Sequence, residues 1–291
     1  METAIIGIGG LNVRINLPDH SFQLEESYLP FRVHSVSPVA NWYIRPEPIP
    51  QTPIMRKNNP EISRIRDIIQ SNGKLIFRLW WQPGTSFLWK AAMMEPSLNR
   101  GDIWLNRREG ETISCPLFVI DLLLFPYLLI PQGGIIIHAA AAKIGEEAYL
   151  FPAPSGGGKS TWSELMKDRP EWTILGEDKV IVRKVGDTYQ VFGTPWNPRP
   201  EYRAADHAPL RGIYFLQHDR KNRFLEVGEA DTARKLLQAA SLPFQERNEV
   251  DEALTIIEEI AQTIPAYQFG FRPDRSAVEF FHASIQNLSS L

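Results

Sequence analysis

The stretch Pro152-Ala-Pro-Ser-Gly-Gly-Gly-Lys-Ser-Thr161 constrains this chain more than any other. The apolar run before it, Glu147 to Phe151, reads as a strand, and Trp162 to Met166 after it reads as the start of a helix. Strand, glycine-rich turn, helix is the setting in which a phosphate-binding loop forms. Gly156, Gly157 and Gly158 let backbone N–H groups turn inward around an anion. A helix opening near Lys159 adds unpaired N–H donors and the positive end of its dipole. Lys159 can reach a terminal phosphate, and the Ser160 hydroxyl is placed for Mg²⁺. With Ser155 and Thr161 completing the cradle, the stretch reads as a nucleoside-triphosphate site. Ala153 stands where the usual pattern has its first glycine, and a small residue suffices there if the backbone needs no positive φ. The competing reading is a flexible glycine loop with a solvated lysine.

A chain of 291 residues suggests one large domain or two ordinary ones. Its 43% hydrophobic and 22% charged content are those of a globular protein with ample core. A net charge of −3 gives no bulk attraction for nucleic acid. The single cysteine, Cys115, excludes an internal disulfide framework and a thiolate metal cluster. Met1-Glu2-Thr3 lacks the basic region of a signal peptide, so a cytoplasmic location is expected.

Residues 1–110 read as a β-rich recognition or assembly domain. Residues 3–16 read as strand, turn, strand, and the prolines of 36–60 as extended loop. Ile62, Ile65, Ile68 and Ile69 are spaced as on a helix over 61–70, with Ser71-Asn72-Gly73 as its stop. Leu75–Trp81 and Phe87–Met94 read as a hairpin about Pro83-Gly84, and Asp102–Asn106 as a further strand. Trp42, Trp80, Trp81, Trp89 and Trp104 lie here. They would serve as a stacking surface or as core filling, and core filling is favoured.

Residues 111–291 read as the nucleotide-binding domain. The apolar run Cys115–Ile130 is too short for a membrane span, carries Asp121 and is broken by Pro126. A buried helix is expected, and no membrane partner. Ile135 to Ala139 reads as an apolar strand running on toward Lys143 with His138 inside it, either a satisfied core histidine or a functional one. Glu177 and Asp178 interrupt the apolar run Trp172–Val182. Carboxylates placed between strand-forming residues are costly unless paired or metal-bound. Beside a triphosphate they suggest Mg²⁺ coordination and a base for the nucleophile; a solvated turn is the alternative. Phe192-Gly-Thr-Pro-Trp196 reads as a tight turn that could place backbone near the same site. Strands are expected at 210–216 and 267–272, and helices at 230–240, 250–264 and 276–287. His207 and His218 are expected at the surface; Arg199, Arg203 and Arg211 could reach phosphate or an acidic acceptor, and solvated surface is favoured for them.

His138, the loop 154–161, the pair Glu177-Asp178 and the turn 192–196, in that order, resemble the HPr serine kinase family. The similarity is greatest to its divergent relatives beside ribosomal-peptide biosynthesis genes, such as lasso-peptide kinases and SynChlorMet cassette kinase-like proteins. It covers about residues 130–285 and, weakly, the N-terminal domain. The resemblance implies an α/β fold with an HPr kinase/PEP carboxykinase-like P-loop core and a mixed sheet, beside the N-terminal β-rich domain. It implies ATP-dependent phosphorylation of a hydroxyl. Lys159 would hold the β- and γ-phosphates, and Ser160 and Glu177 would hold Mg²⁺. Asp178 would be the catalytic base, with His138 near the γ-phosphate and the acceptor. Glu177 stands where the family has Asp. The family's Arg-Asn-Leu-Ala type segment is not found, so the expected acceptor is a peptide or small hydroxyl compound and not HPr. The resemblance also allows a homo-oligomer. A nucleotide-dependent binding or chaperone module without phosphotransfer is the second reading.

Overall fold

The structure, a computed structural model, describes residues 2–19, 22–50, 66–82, 85, 87–106, 116–243 and 247–288. Cys115, the Pro83-Gly84 turn and the first part of the helix expected at 61–70 lie outside them. The fold is α/β, with two mixed sheets and few helices. The chain divides into two compact units, Met1–Leu129 with Pro243–Glu249, and Ile130–Leu242 with Val250–Leu291. The first unit thus extends past the boundary expected at residue 110 and takes in the apolar helix.

In the first unit, strands β1 (Glu2–Ile8) and β2 (Leu11–Leu17) form a hairpin about Gly9-Gly10, as their alternating pattern predicts. The further strands are β3 (Arg32–Val33), β4 (Ala40–Arg45), β5 (Arg66–Ser71), β6 (Lys74–Trp80), β7 (Leu88–Met94) and β8 (Arg100–Leu105). They make an eight-stranded sheet in the order β3-β1-β2-β4-β8-β7-β6-β5. Residues 66–70 are therefore strand and not helix. Asn72 and Gly73 both take positive φ, 51° and 72°, which is the geometry of a two-residue hairpin turn. The Asn-Gly that reads as a helix stop instead reverses β5 into β6. Helix α1 (Ile120–Leu129) is buried on nearly every side, and Phe125 meets Trp42 edge-on. Trp42, Trp80 and Trp104 are core residues, while Trp81 is exposed with its edge against Trp89. No described helix is long and apolar enough to cross a membrane.

The second unit is built on a ten-stranded sheet. Its strands are β9 (Gly134–Ile137), β10 (Ala139–Ile144), β11 (Glu147–Pro152), β12 (Trp172–Gly176), β13 (Val180–Val185), β14 (Thr188–Phe192), β15 (His207–His218), β16 (Arg223–Glu226), β17 (Ala240–Ser241) and β18 (Ala266–Phe271). The main path is β12-β10-β11-β15-β14-β13-β9-β17, with β18 on β15 and β16 on β18. The long β15 is parallel to β11 and β18 and antiparallel to β14, so it joins two halves of the sheet.

Helices cover both faces. On one, α3 (Glu229–Ala239) and α4 (Arg247–Thr263) bring Leu236, Ile257 and Ile260 onto Ile137, Leu150 and Val182. On the other, α2 (Lys159–Met166) and α5 (Arg275–Leu288) bring Trp162 and Phe281 onto Phe151 and Phe269. Trp162 is fully buried, its ring centre 5.2–5.7 Å from those of Phe151, Phe269, Phe271 and Phe281. This aromatic cluster fixes the first turn of α2, and with it the loop that precedes the helix.

Candidate active site

The loop between β11 and α2 folds as its glycines predict. Gly156 (φ 75°) and Gly158 (φ 104°) occupy the left-handed region, where a side chain is strained. Gly157 has a different constraint: a Cβ there would lie 2.9 Å from the Ala153 Cβ and 3.0 Å from the Pro154 carbonyl oxygen. Ala153 is not among the residues with positive φ, so the departure from glycine at 153 introduces no strain of that kind. Together with Pro154, however, the Ala153 methyl leaves no room for a side chain at 157 unless something shifts. The Lys159 ammonium turns back into the loop, donating to the carbonyls of Ala153 (2.6 Å) and Pro154 (3.4 Å). Burial lowers its pKa, Asp178 raises it in part, and Lys179 lowers it further.

The acidic pair is positioned by a matched break in two antiparallel ribbons. β9 and β10 run against β13 and β12, with Ile137 opposite Val180 and Ala141 opposite Gly176. Between those pairings, His138 and residues 177–179 lie outside the strands as the chain passes from one half of the sheet to the other. His138 is therefore not inside one continuous strand, as the sequence suggests, but in the gap between β9 and β10. It is half-buried, and its backbone N–H donates to the Ala239 carbonyl at 2.7 Å. Glu177 and Asp178 occupy the facing gap.

In that gap His138 Nε2 lies 2.7 Å from Asp178 Oδ1, and Lys179 Nζ donates to Oδ2 at 2.8 Å. Burial tends to raise the Asp178 pKa, but the hydrogen bonds from His138 and Lys179 and their charge hold it well below the usual carboxylate range. Glu177 is 5% exposed. Its Oε1 is 3.3 Å from Arg199 Nε, and its buried Oε2 accepts no hydrogen bond. Burial raises its pKa, opposed by Arg199 and reinforced by Asp178. A buried carboxylate oxygen without a donor is costly, and either a cation or a proton would satisfy it.

The loop, the acidic pair and His138 line one cleft of about 300 Å³. Lys159, Ser160 and Thr161 open onto it from the helix start, Ser155 and Gly156 from the loop, and Glu177 and Asp178 from the bend. That volume is at the lower end of the roughly 300–1,000 Å³ of small-molecule sites, enough for a chain of phosphates. Every expected site residue except Gly157 lines the cleft, and Gly157 lies within its loop.

Four participants were not expected from sequence. His218, assigned to the surface, lines the cleft and comes within 3.2 Å of where a Gly158 Cβ would stand. Arg199, also assigned to solvent, bridges Glu177 and Glu164. Lys179 pairs with Asp178. Asn197 Oδ1 accepts the backbone N–H groups of both Glu177 (2.9 Å) and Asp178 (3.1 Å). Adjacency to the acidic pair was a sufficient signal for Lys179 alone. Arg203 and Arg211 do not line the cleft; Arg203 donates to the Asn197 carbonyl and Arg211 pairs with Glu147. Among the described residues no group of three or more His, Cys, Asp or Glu side chains could hold a metal. Compared with known proteins, the chain matches no protein-family model and no curated protein.

Proposed function

We propose that this protein is an ATP-dependent kinase that transfers the γ-phosphate to a serine hydroxyl of a peptide or small molecule. We place it with the HPr kinase/PEP carboxykinase-like P-loop proteins. The observation that carries the reading is one cleft in which a glycine loop and helix start face two carboxylates. An anion fits the first wall and a cation, or a reacting hydroxyl, the second.

In this reading the N–H groups of 155–161 hold the phosphate chain of ATP. Lys159 exchanges its two carbonyl partners for phosphate oxygens. Ser160 and the unpartnered Glu177 Oε2 would hold Mg²⁺, which is commonly bound by one or two protein oxygens together with phosphates. The cation would neutralise charge on the phosphates when bound. Asp178 receives the proton of the acceptor hydroxyl, with His138 fixing its orientation. A carboxylate held at low pKa can do this because the transition state is loose and little proton abstraction is needed early. ATP and Mg²⁺ as reactants suit a cytoplasmic protein.

The test is mass spectrometry of serine peptides and small hydroxyl compounds after incubation with Mg–ATP. Asp178→Asn should keep ATP binding and lose about 10²–10⁴-fold in transfer. Full transfer by that variant removes Asp178 from the base role. One observation favours the second reading, a nucleotide-dependent binding module: both Asp178 oxygens are already paired. ATP binding without transfer to any hydroxyl would decide for it.

A further inference from the structure

A second cleft, of about 540 Å³, opens beside the first and shares His138, Pro154 and Ser155 with it. The shared residues are the start of the glycine loop and the partner of Asp178. Thr161 and His218 line only the first cleft. The second cleft therefore adjoins the end where, in the kinase reading, the phosphoryl group is transferred.

Its far wall is α3. Arg234, Lys235 and Gln238 project from that helix, facing Phe215 and Gln217 of β15 and Gln268 of β18. The lining is cationic, amide and apolar, with no carboxylate among the described residues. Lys235 is held in place: Nζ donates to Gln268 Oε1 at 2.6 Å and stands 4.9 Å from the centre of the Phe215 ring. Gln268 is itself anchored, with Nε2 donating to the Phe215 carbonyl at 2.7 Å. An ammonium has three donors, and among the described residues one of them is engaged, with an amide. Burial, with Arg234 nearby, lowers the Lys235 pKa, and Asp231 raises it only in part. Arg234 is exposed and pairs with Asp231 in the open, a pairing too weak to withhold it from a ligand.

We infer that this second cleft receives the phosphate acceptor, and that the acceptor is a hydroxyl compound bearing a carboxylate, which Lys235 and Arg234 bind while the hydroxyl reaches past Ser155 to Asp178. The inference rests on the kinase reading. The step balances: the acceptor oxygen bonds to the γ-phosphorus and its proton passes to Asp178. The bond from that phosphorus to the β,γ-bridging oxygen breaks, and ADP leaves with the electron pair. A small hydroxy acid and a serine in an acidic peptide share this chemistry.

The test titrates three probes into the full chain holding a non-hydrolysable ATP analogue with Mg²⁺. They are a serine pentapeptide flanked by glutamates, its glutamine counterpart, and free L-serine. At least one carboxylate probe should bind about tenfold more tightly than the glutamine peptide, the scale of one partly buried charge pair. Free serine as the tighter binder marks a small acceptor, and the acidic peptide as the tighter binder marks a chain segment. Lys235→Gln should abolish the preference, and Lys235→Glu should reverse it toward a lysine-flanked peptide, with circular dichroism reporting folding. Equal binding of all probes, no binding of any, or a preference that survives both substitutions overturns the inference. Failure of the analogue to bind sinks the kinase reading instead; repeating the titration without it still shows whether the cleft selects carboxylates.

Discussion

Asn197 is 1% exposed, and its side chain engages only neighbouring protein groups. Oδ1 accepts from Glu177 and Asp178, while Nδ2 donates to the Thr194 carbonyl at 3.0 Å. Thr194 in turn donates its hydroxyl to the Lys179 carbonyl. The acidic bend is thus held from behind by the turn 193–197. Asn197→Ala would strand two backbone donors at the bend. Urea unfolding should show a loss of about 1–3 kcal/mol, the cost of leaving such groups unsatisfied. An unchanged midpoint would show that the bend is held by something else. Asn197→Asp keeps the acceptors but places a third carboxylate behind Glu177 and Asp178, so ATP affinity should fall as well. That the turn could come near the site was legible in the sequence, but the part played by Asn197 was not. Gly193-Thr-Pro195 signalled a turn, but only pairing of β13 with β14 brings that turn behind residues 177–179. That Arg199 would meet Glu177 was hidden for the same reason. By contrast Gly156, Gly158, Lys159 and the acidic pair could be identified, because loop and helix start are contiguous and a charged pair in an apolar run is conspicuous.

At the scale of elements, the strands and helices of the second unit were mostly legible, and their order in the sheet was not. Alternation and helical spacing are local signals, whereas neighbours such as β11 and β15 are sixty residues apart and pair by tertiary fit. The β5 error has a local cause: isoleucines three or four apart outweighed Asn-Gly, yet Ile68 is buried and Ile69 only partly so, the alternation of a strand. Helix α1 shows a different dependence, on charge. Ahead of it, Glu25 Oε1 accepts the backbone N–H groups of Leu117 (3.2 Å) and Phe118 (2.8 Å), while its Oε2 is buried without a donor. Burial raises the Glu25 pKa to about 7, opposed by the backbone N–H groups of Phe118 and of Glu25 itself and by Lys90, and reinforced by Asp121. An acid with a raised folded pKa favours the fold when protonated. Its contribution is therefore complete below about pH 4.5 and is lost as the pH rises through about 7. Glu25→Gln cannot ionise. Urea unfolding should find it about 1–3 kcal/mol more stable than the parent at pH 8, with the gap closing by pH 4. A gap that does not vary with pH would mean that Glu25 does not titrate in that window.

At the scale of the molecule, every residue assigned here to phosphate, metal or acceptor belongs to the second unit. The first unit contributes a separate eight-stranded sheet with its own buried aromatic residues. A ligand that binds only the folded state stabilises whatever must unfold to release it, by about 2.7 kcal/mol at a hundredfold excess over Kd. For a nucleotide in the loop, that stabilisation should be concentrated in particular amides. Hydrogen exchange with and without a Mg–ATP analogue should show slower exchange in 153–162, in 176–180 and at the facing ends of β10 and β11. Amides of β1, β2 and β6 should exchange as before. Lys159→Ala, which removes the ammonium but not the loop, should weaken the first effect without altering the second set. Equal slowing across both units would show that release requires global unfolding, and slowing confined to the first unit would place the nucleotide in the wrong half of the chain. The two carboxylates then separate cradle from catalyst: if Asp178→Asn gives the same protection pattern as the parent, the loop binds independently of the residue proposed to accept the proton.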